Sequence, residues 1–98
     1  MEKLSTDEIV EKLTKLPGWK LKSCCIEKEF VFKDFKTAFS VMTHIAFEAE
    51  SMNHHPDWLN VYNKLKIILT THDAEGLTTK DFNLATKIEN IVKSHFFV

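Results

Sequence analysis

Asn53-His54-His55-Pro56 and Thr70-Thr71-His72-Asp73 are the two stretches of this chain whose side chains could move protons, and they hold three of its five histidines. An imidazole exchanges its proton near neutral pH, so two of them in one site can serve as general acid and general base. Both stretches fall at junctions between expected elements, where chemical groups are commonly displayed. His55 precedes a proline, which pushes its backbone toward an extended conformation and pins the pair at the mouth of a strand. Whether His54 and His72 converge depends on the fold. On the residues alone three readings stand: an acid/base site, unrelated surface or capping histidines, and a metal site with Asp57 or Asp73 completing the donors.

The spacing matches no HExxH-type metal signature, and His44 with Glu48, one helical turn apart, reads as a solvated face. Nucleophilic catalysis has less support: Cys24 and Cys25 lie far from the histidines in sequence, and there is no GxSxG elbow or phosphate-cradling glycine loop. Glu50 borders the helix that precedes the histidines and either aims a carboxylate into their pocket or is a solvated flanking acid. Asp81 reads first as the N3 carboxylate of a helix cap, a role compatible with a ligand contact. His95, near the carboxyl terminus, reads as stabilising the end of its helix.

Composition narrows the class. Ninety-eight residues, 44% of them hydrophobic and eight of them phenylalanine, suit one domain with a real core. A chain this short buries a modest share of its surface, so oligomerisation is a natural supplement. The net charge is −1 and all thirteen basic residues are lysines. Without arginine forks or a basic run, a nucleic-acid partner is not expected. Adjacent Cys24 and Cys25 form no disulfide framework and no CxxC motif, which leaves two free thiols in a reducing compartment. No apolar run spans a bilayer and Met1-Glu2-Lys3 begins no signal peptide, so the expectation is a soluble, cytoplasmic protein without a membrane partner.

The elements that must position the histidines follow from periodicity and caps. Ser5-Thr6-Asp7-Glu8 is a capping box, followed by Ile9, Leu13 and Leu16 at helical spacing and a stop at Pro17-Gly18. Trp19 to Lys22 and Ile26 to Phe32 read as strands, with Ile26, Phe30 and Phe32 on one face and Lys28 a misfit there. Asp34 caps the longest helix, over about 35–52. Its core stripe is expected to be Phe35, Ala38, Phe39, Met42, Ile45, Ala46 and Ala49, with Val41 and Phe47 off it as incidental apolars or a subunit contact. Trp58 to Tyr62 and Lys64 to Thr71 are strands joined at Asn63, and parity takes His72 off the core face. Gly76 permits a turn, and Thr78-x-x-Asp81 caps a last helix carrying Phe82, Ala85, Ile88, Ile91 and Val92. The order αββαββα predicts an α+β fold: one four-stranded antiparallel sheet with three helices packed on one face and edges open to another subunit.

Taken together, Glu50-x-x-Asn53-His54-His55-Pro56, the run Trp58 to Lys64, Thr70-Thr71-His72-Asp73 and Gly76-Leu77-Thr78-x-x-Asp81 resemble the pterin-4a-carbinolamine dehydratases. The resemblance continues upstream through Gly18-Trp19 and Phe30-Val31-Phe32-Lys33-Asp34-Phe35, so it covers nearly the whole chain. It implies a cofactor-free and metal-free enzyme that dehydrates 4a-hydroxytetrahydrobiopterin to quinonoid dihydrobiopterin, recycling the cofactor of aromatic amino acid hydroxylases. The implied catalytic set is His54, His55 and His72: His54 and His72 as the acid/base pair, His55 mainly orienting the substrate. Asn53, Thr70, Thr71 and Asp73 would line the pterin pocket, with Glu50 and Asp81 as supporting carboxylates and Trp19 as an aromatic wall. Mammalian members carry an acid at the position of Asn53, serine at Thr70, glutamate at Asp73 and arginine at His44. The first three changes keep hydrogen-bonding capacity and bear on substrate preference more than on the reaction. Mammalian members also form homotetramers and partner a liver homeodomain transcription factor; the resemblance extends to a homodimer or homotetramer here, and the transcription-factor role has no support in these residues. A non-catalytic dimerisation or coactivator module on the same fold is the competing expectation.

Overall fold

A computed structural model describes residues 2–95. Helix α1 spans Thr6–Leu13, followed by strands β1 (Lys20–Lys22) and β2 (Cys25–Val31), helix α2 (Phe35–Met52), strands β3 (Asp57–Val61) and β4 (Lys64–Leu69), a 3-10 turn (His72–Ala74) and helix α3 (Thr79–His95). This is the expected order, with strand ends shifted by one or two residues. Local chemistry explains the helix starts. Ser5 and Glu8 satisfy each other's backbone N–H groups at 3.2 and 2.9 Å, and Asp34 accepts the Thr37 N–H at 2.8 Å.

The four strands form one antiparallel sheet in the order β1-β2-β4-β3. Its inner face carries Ile26, Phe30, Leu65, Ile67 and Leu69, all buried in one cluster with side chains from the three helices. The register puts Lys20, Lys22, Glu27, Glu29, Lys64 and Lys66 on the outer face. Lys28 belongs to the inner face, and the structure resolves why a lysine is tolerated there. Its stem lies along Gly18, its ammonium sits 4.7 Å from the Phe30 ring centroid, and Nζ donates to Pro17 O at 3.0 Å and to Glu89 Oε2 at 2.7 Å. Trp19 Nε1–H donates to the same Glu89 oxygen at 2.8 Å. Gly18 adopts φ 90°, a conformation that calls for glycine, and a Cβ there would also come within 2.9 Å of Lys28 Cε and push that side chain aside.

Helix α2 corrects the expected stripe. Ala38, Val41, Ile45 and Ala49 face the core, whereas Phe35 and Phe39 are 49% and 56% exposed, Ala46 is exposed and Phe47 is 73% exposed. The apolar residues cover about two-thirds of this helix's circumference, so periodicity alone does not choose which arc turns inward. Packing on the sheet chose the arc centred on Val41 and Ile45. A line of phenylalanines is left on the outside, and Leu59, Val61 and Tyr62 at the end of edge strand β3 are also exposed.

Candidate active site

The carboxyl end of α2 sets the position of the first histidine pair. Asn53 adopts the left-handed conformation (φ 52°, ψ 43°), its N–H bonds Glu50 O at 3.1 Å, and the His54 N–H bonds Ala49 O at 3.1 Å. These two bonds are the Schellman arrangement, with asparagine where glycine is usual. They turn the chain sharply, so His54 leaves the helix pointing inward. Pro56 then leads straight into β3.

The imidazole of His54 is buried, and its Nε2 lies 2.6 Å from Asp81 Oδ1. Asp81 is wholly buried, and its other oxygen accepts from Thr71 Oγ1 at 2.8 Å and from the Thr78 N–H at 3.0 Å. Asp81 is therefore both the N3 cap of α3 and the support of His54. An ionised carboxylate has no hydrogen to give, so Nε2 carries the proton and Nδ1 is the nitrogen left for chemistry. The hydroxyls order themselves by the same count. Thr71 spends its hydrogen on Asp81, so in the 2.8 Å contact between Thr71 and Thr78 it is Thr78 that donates, while Thr78 Oγ1 accepts the Lys80 N–H at 3.3 Å. Among the described residues no buried side-chain nitrogen or oxygen lacks a partner.

The second histidine segment is a closed loop. Thr71 and Gly76 exchange backbone hydrogen bonds of 3.0 and 3.3 Å, and Glu75 ends the 3-10 turn in the left-handed conformation. Strand β4 stops at Leu69, so His72 opens this turn rather than ending the strand. Parity still placed it correctly: Thr71 is buried and His72 is exposed. A carbon on Gly76 would come within 2.9 Å of Lys3 Cδ, so the Lys3 stem lies directly over this end of the loop.

The two segments face each other across an open cleft of about 310 Å³, lined by Asn53, His54, His55, Thr70, Thr71, His72, Asp73 and Lys80. The His72 carbonyl accepts the Glu75 N–H at 3.0 Å, and its side chain makes no hydrogen bond among the described residues. Thr70 donates to Cys24 O at 2.8 Å, so toward a ligand its hydroxyl can only accept. His55 lines the exposed rim of the cleft, and its Nε2 lies 2.8 Å from Glu50 Oε1 in a solvent-facing pair. Glu50 and Asp81 thus contact His55 and His54 from behind, and neither lines the cavity. Trp19 is no wall of it: its ring packs edge-on against Phe30, 6.2 Å between centroids, and its N–H is taken by Glu89. Lys80 was not singled out in the sequence. Its only signal was a cation in the first turn of a helix, next to the capping aspartate.

Other groups carry less chemistry. A larger groove of about 420 Å³ lies along Lys20, Lys22, Lys66 and Glu27, but these side chains largely pair with each other. His44 and His95 approach to 5.9 Å between ring centroids, outside the cleft. Among the described residues no three His, Cys, Asp or Glu side chains are grouped to hold a metal ion. Cys24 and Cys25 are free, and burial, then the neighbouring Cys24 thiol, pushes the Cys25 thiol above its ordinary value, which makes it a poor nucleophile. No described helix is long and apolar enough to cross a membrane.

Comparison with known proteins meets this geometry from outside. Residues 2–91 match the family described as "Pterin 4 alpha carbinolamine dehydratase". A protein of Christiangramia forsetii named "Putative pterin-4-alpha-carbinolamine dehydratase" is 56% identical over 94 residues, covering 96% of this chain and 97% of its own. One of the same name from Sulfurisphaera tokodaii is 49% identical, covering 94% and 99%. The crystal structure of a "transcriptional coactivator/pterin dehydratase" from Brucella melitensis superposes with a TM-score of 0.91 at 39% identity, covering 93% of this chain and 99% of that one.

Proposed function

This chain belongs to the pterin-4a-carbinolamine dehydratase family, and from that premise we propose that it dehydrates 4a-hydroxytetrahydrobiopterin to quinonoid dihydrobiopterin by histidine acid/base catalysis. The observation that carries the reading is His54 held by the buried Asp81 carboxylate at 2.6 Å, in the same cleft as an unpartnered His72. In the reaction the bond from C4a to the hydroxyl oxygen breaks, the hydroxyl takes a proton and leaves as water, and a ring nitrogen gives up its proton. His54, with Nε2–H fixed on Asp81, offers the Nδ1 lone pair as base. The positive ring that results lies against the Asp81 carboxylate, so no group has to reorganise. His72, free to carry a proton toward the cleft, is the acid. His55 orients the pterin from the rim, with Asn53, Thr70, Thr71 and Asp73 around it. No step calls for a metal or an organic cofactor.

The recycling of a pterin cofactor in a reducing cytoplasm is the setting this activity fits. The exposed phenylalanines of α2 and the open edge at β3 favour a homo-oligomer. The same apolar face is what a coactivator module would use, which is the second reading; it gives no use to a cleft that holds both His54 and a side chain of His72 without a hydrogen bond. Purified protein is assayed by ultraviolet absorbance in a coupled hydroxylase reaction. Acceleration of carbinolamine dehydration supports the dehydratase, and a rate equal to the uncatalysed one sinks it.

A further inference from the structure

The cleft contains one lysine that neither the fold nor the dehydration step uses. Lys80 lines the cavity with His54, His72 and Asp73 and is half-buried. It sits in the first turn of α3, where free amide N–H groups favour negative charge and disfavour a cation. Its neighbours Thr78 and Asp81 cap the helix, but Lys80 contributes only its backbone N–H to that network. Among the described residues its ammonium makes no hydrogen bond or ion pair. Asp73, on the same cleft, likewise has none. Meanwhile the hydrogens of Thr70, Thr71 and His54 Nε2 are already spent. The cleft therefore keeps a pure donor and a pure acceptor on its lining, both unused.

A pterin presents the matching pattern along its pyrimidine edge: the C4 carbonyl oxygen accepts, and the adjoining N3–H and 2-amino group donate. The geometry points to Lys80 as a substrate-binding residue that takes the C4 carbonyl oxygen of the pterin while Asp73 takes the neighbouring N–H donors. This rests on the pterin reading above and deepens it, since it makes ring recognition depend on a residue outside the histidine segments. On a pterin phosphorylated on its side chain, the phosphate is a second electron-rich oxygen that an ammonium would meet. That is the same chemistry, an electron-rich oxygen on a lysine, from a different part of the ligand.

Wild-type protein, Lys80→Met and Lys80→Arg are compared in steady-state dehydration of 4a-hydroxytetrahydrobiopterin and of its analogue phosphorylated on the side chain. Equilibrium binding of 7,8-dihydrobiopterin is followed by fluorescence. Loss of one charged hydrogen bond should raise KM about tenfold in Lys80→Met, with kcat falling less, for both substrates alike. The dihydrobiopterin Kd should weaken in parallel, Lys80→Arg should recover most of the loss, and thermal stability should be kept. A loss confined to the phosphorylated analogue overturns the C4 assignment and places Lys80 on the side chain. Unchanged KM and Kd in Lys80→Met overturn the proposal altogether. If wild-type protein binds dihydrobiopterin through Lys80 yet does not accelerate dehydration, the lysine assignment stands and the dehydratase reading fails. If it neither binds nor accelerates, both are overturned.

Discussion

His54 and Asp81 are joined by a 2.6 Å contact across 27 residues of chain, between an imidazole at the rim of the cleft and a carboxylate with no exposed surface. The contact unites the end of α2 with the start of α3. It also ties the proposed catalysis to folding, because the carboxylate that holds the ring is the cap of the helix.

Asp81→Asn should therefore lower kcat by on the order of a hundredfold, since an amide can present a hydrogen to Nε2 and let the ring adopt the wrong tautomer. His54→Ala and His72→Ala should each cost a hundredfold or more while circular dichroism stays native-like. Glu50→Gln, which alters only an exposed pair, should change the rate less than about threefold. Equal effects of Glu50→Gln and Asp81→Asn in the dehydration assay would refute the assignment of roles.

Asn53 is a structural residue as much as a pocket residue. Asn53→Ala should lose about 1 kcal/mol of stability because alanine resists the left-handed conformation, and Asn53→Gly should lose little. Urea denaturation reads both. If the two variants were equally stable, the backbone would not be the reason for asparagine.

The Lys28–Glu89–Trp19 group should matter for stability alone. Glu89→Ala leaves the Trp19 indole N–H without its acceptor and the half-buried Lys28 ammonium with Pro17 O alone and no counter-charge, and should cost about 1–3 kcal/mol in urea denaturation. KM for the pterin should not move. A raised KM in Trp19→Phe would return the indole to the substrate pocket.

Exposed phenylalanines on α2 predict concentration-dependent self-association. Phe39→Lys should yield a smaller species than wild type in sedimentation velocity, with the helical circular dichroism signal retained. Identical sedimentation of both proteins would show that this face does not mediate assembly.

Two caps set an acid limit. The Ser5 backbone N–H, then its hydroxyl, holds the Glu8 carboxyl below its ordinary value, and Thr37 does the same for Asp34. A depressed carboxyl contributes stability that is complete above its ordinary value, near 4.5 and 3.8 here, and lost as pH falls through the depressed one. Thermal melts from about pH 6 down to about pH 2 should show Tm falling at the acid end. Asp34→Asn, whose side chain caps without titrating, should flatten part of that fall.

The elements that could be read from the residues alone are those governed by neighbours in the chain. Ser5 with Glu8, Asp34 with Thr37, and Thr78 with Asp81 cap their helices through bonds across three residues, and the alternation Leu65, Ile67, Leu69 already named the buried side of β4. The histidine segments were legible for the same reason, since their residue types and breakpoints are local. Tertiary structure decided what depends on distant partners. Periodicity left α2 with an apolar arc wider than one face, and only the sheet selected Val41 over Phe35 and Phe39. Trp19 could be a pocket wall or a core residue until Glu89, 70 positions later, took its N–H. His54 met Asp81, Thr71 lost its hydrogen to that carboxylate, and Lys80 came into the cleft because α3 packs beside α2. Hydrogen-bond chemistry over a few residues is set by the backbone at once, whereas these contacts exist only when the whole apolar surface has been buried in one arrangement.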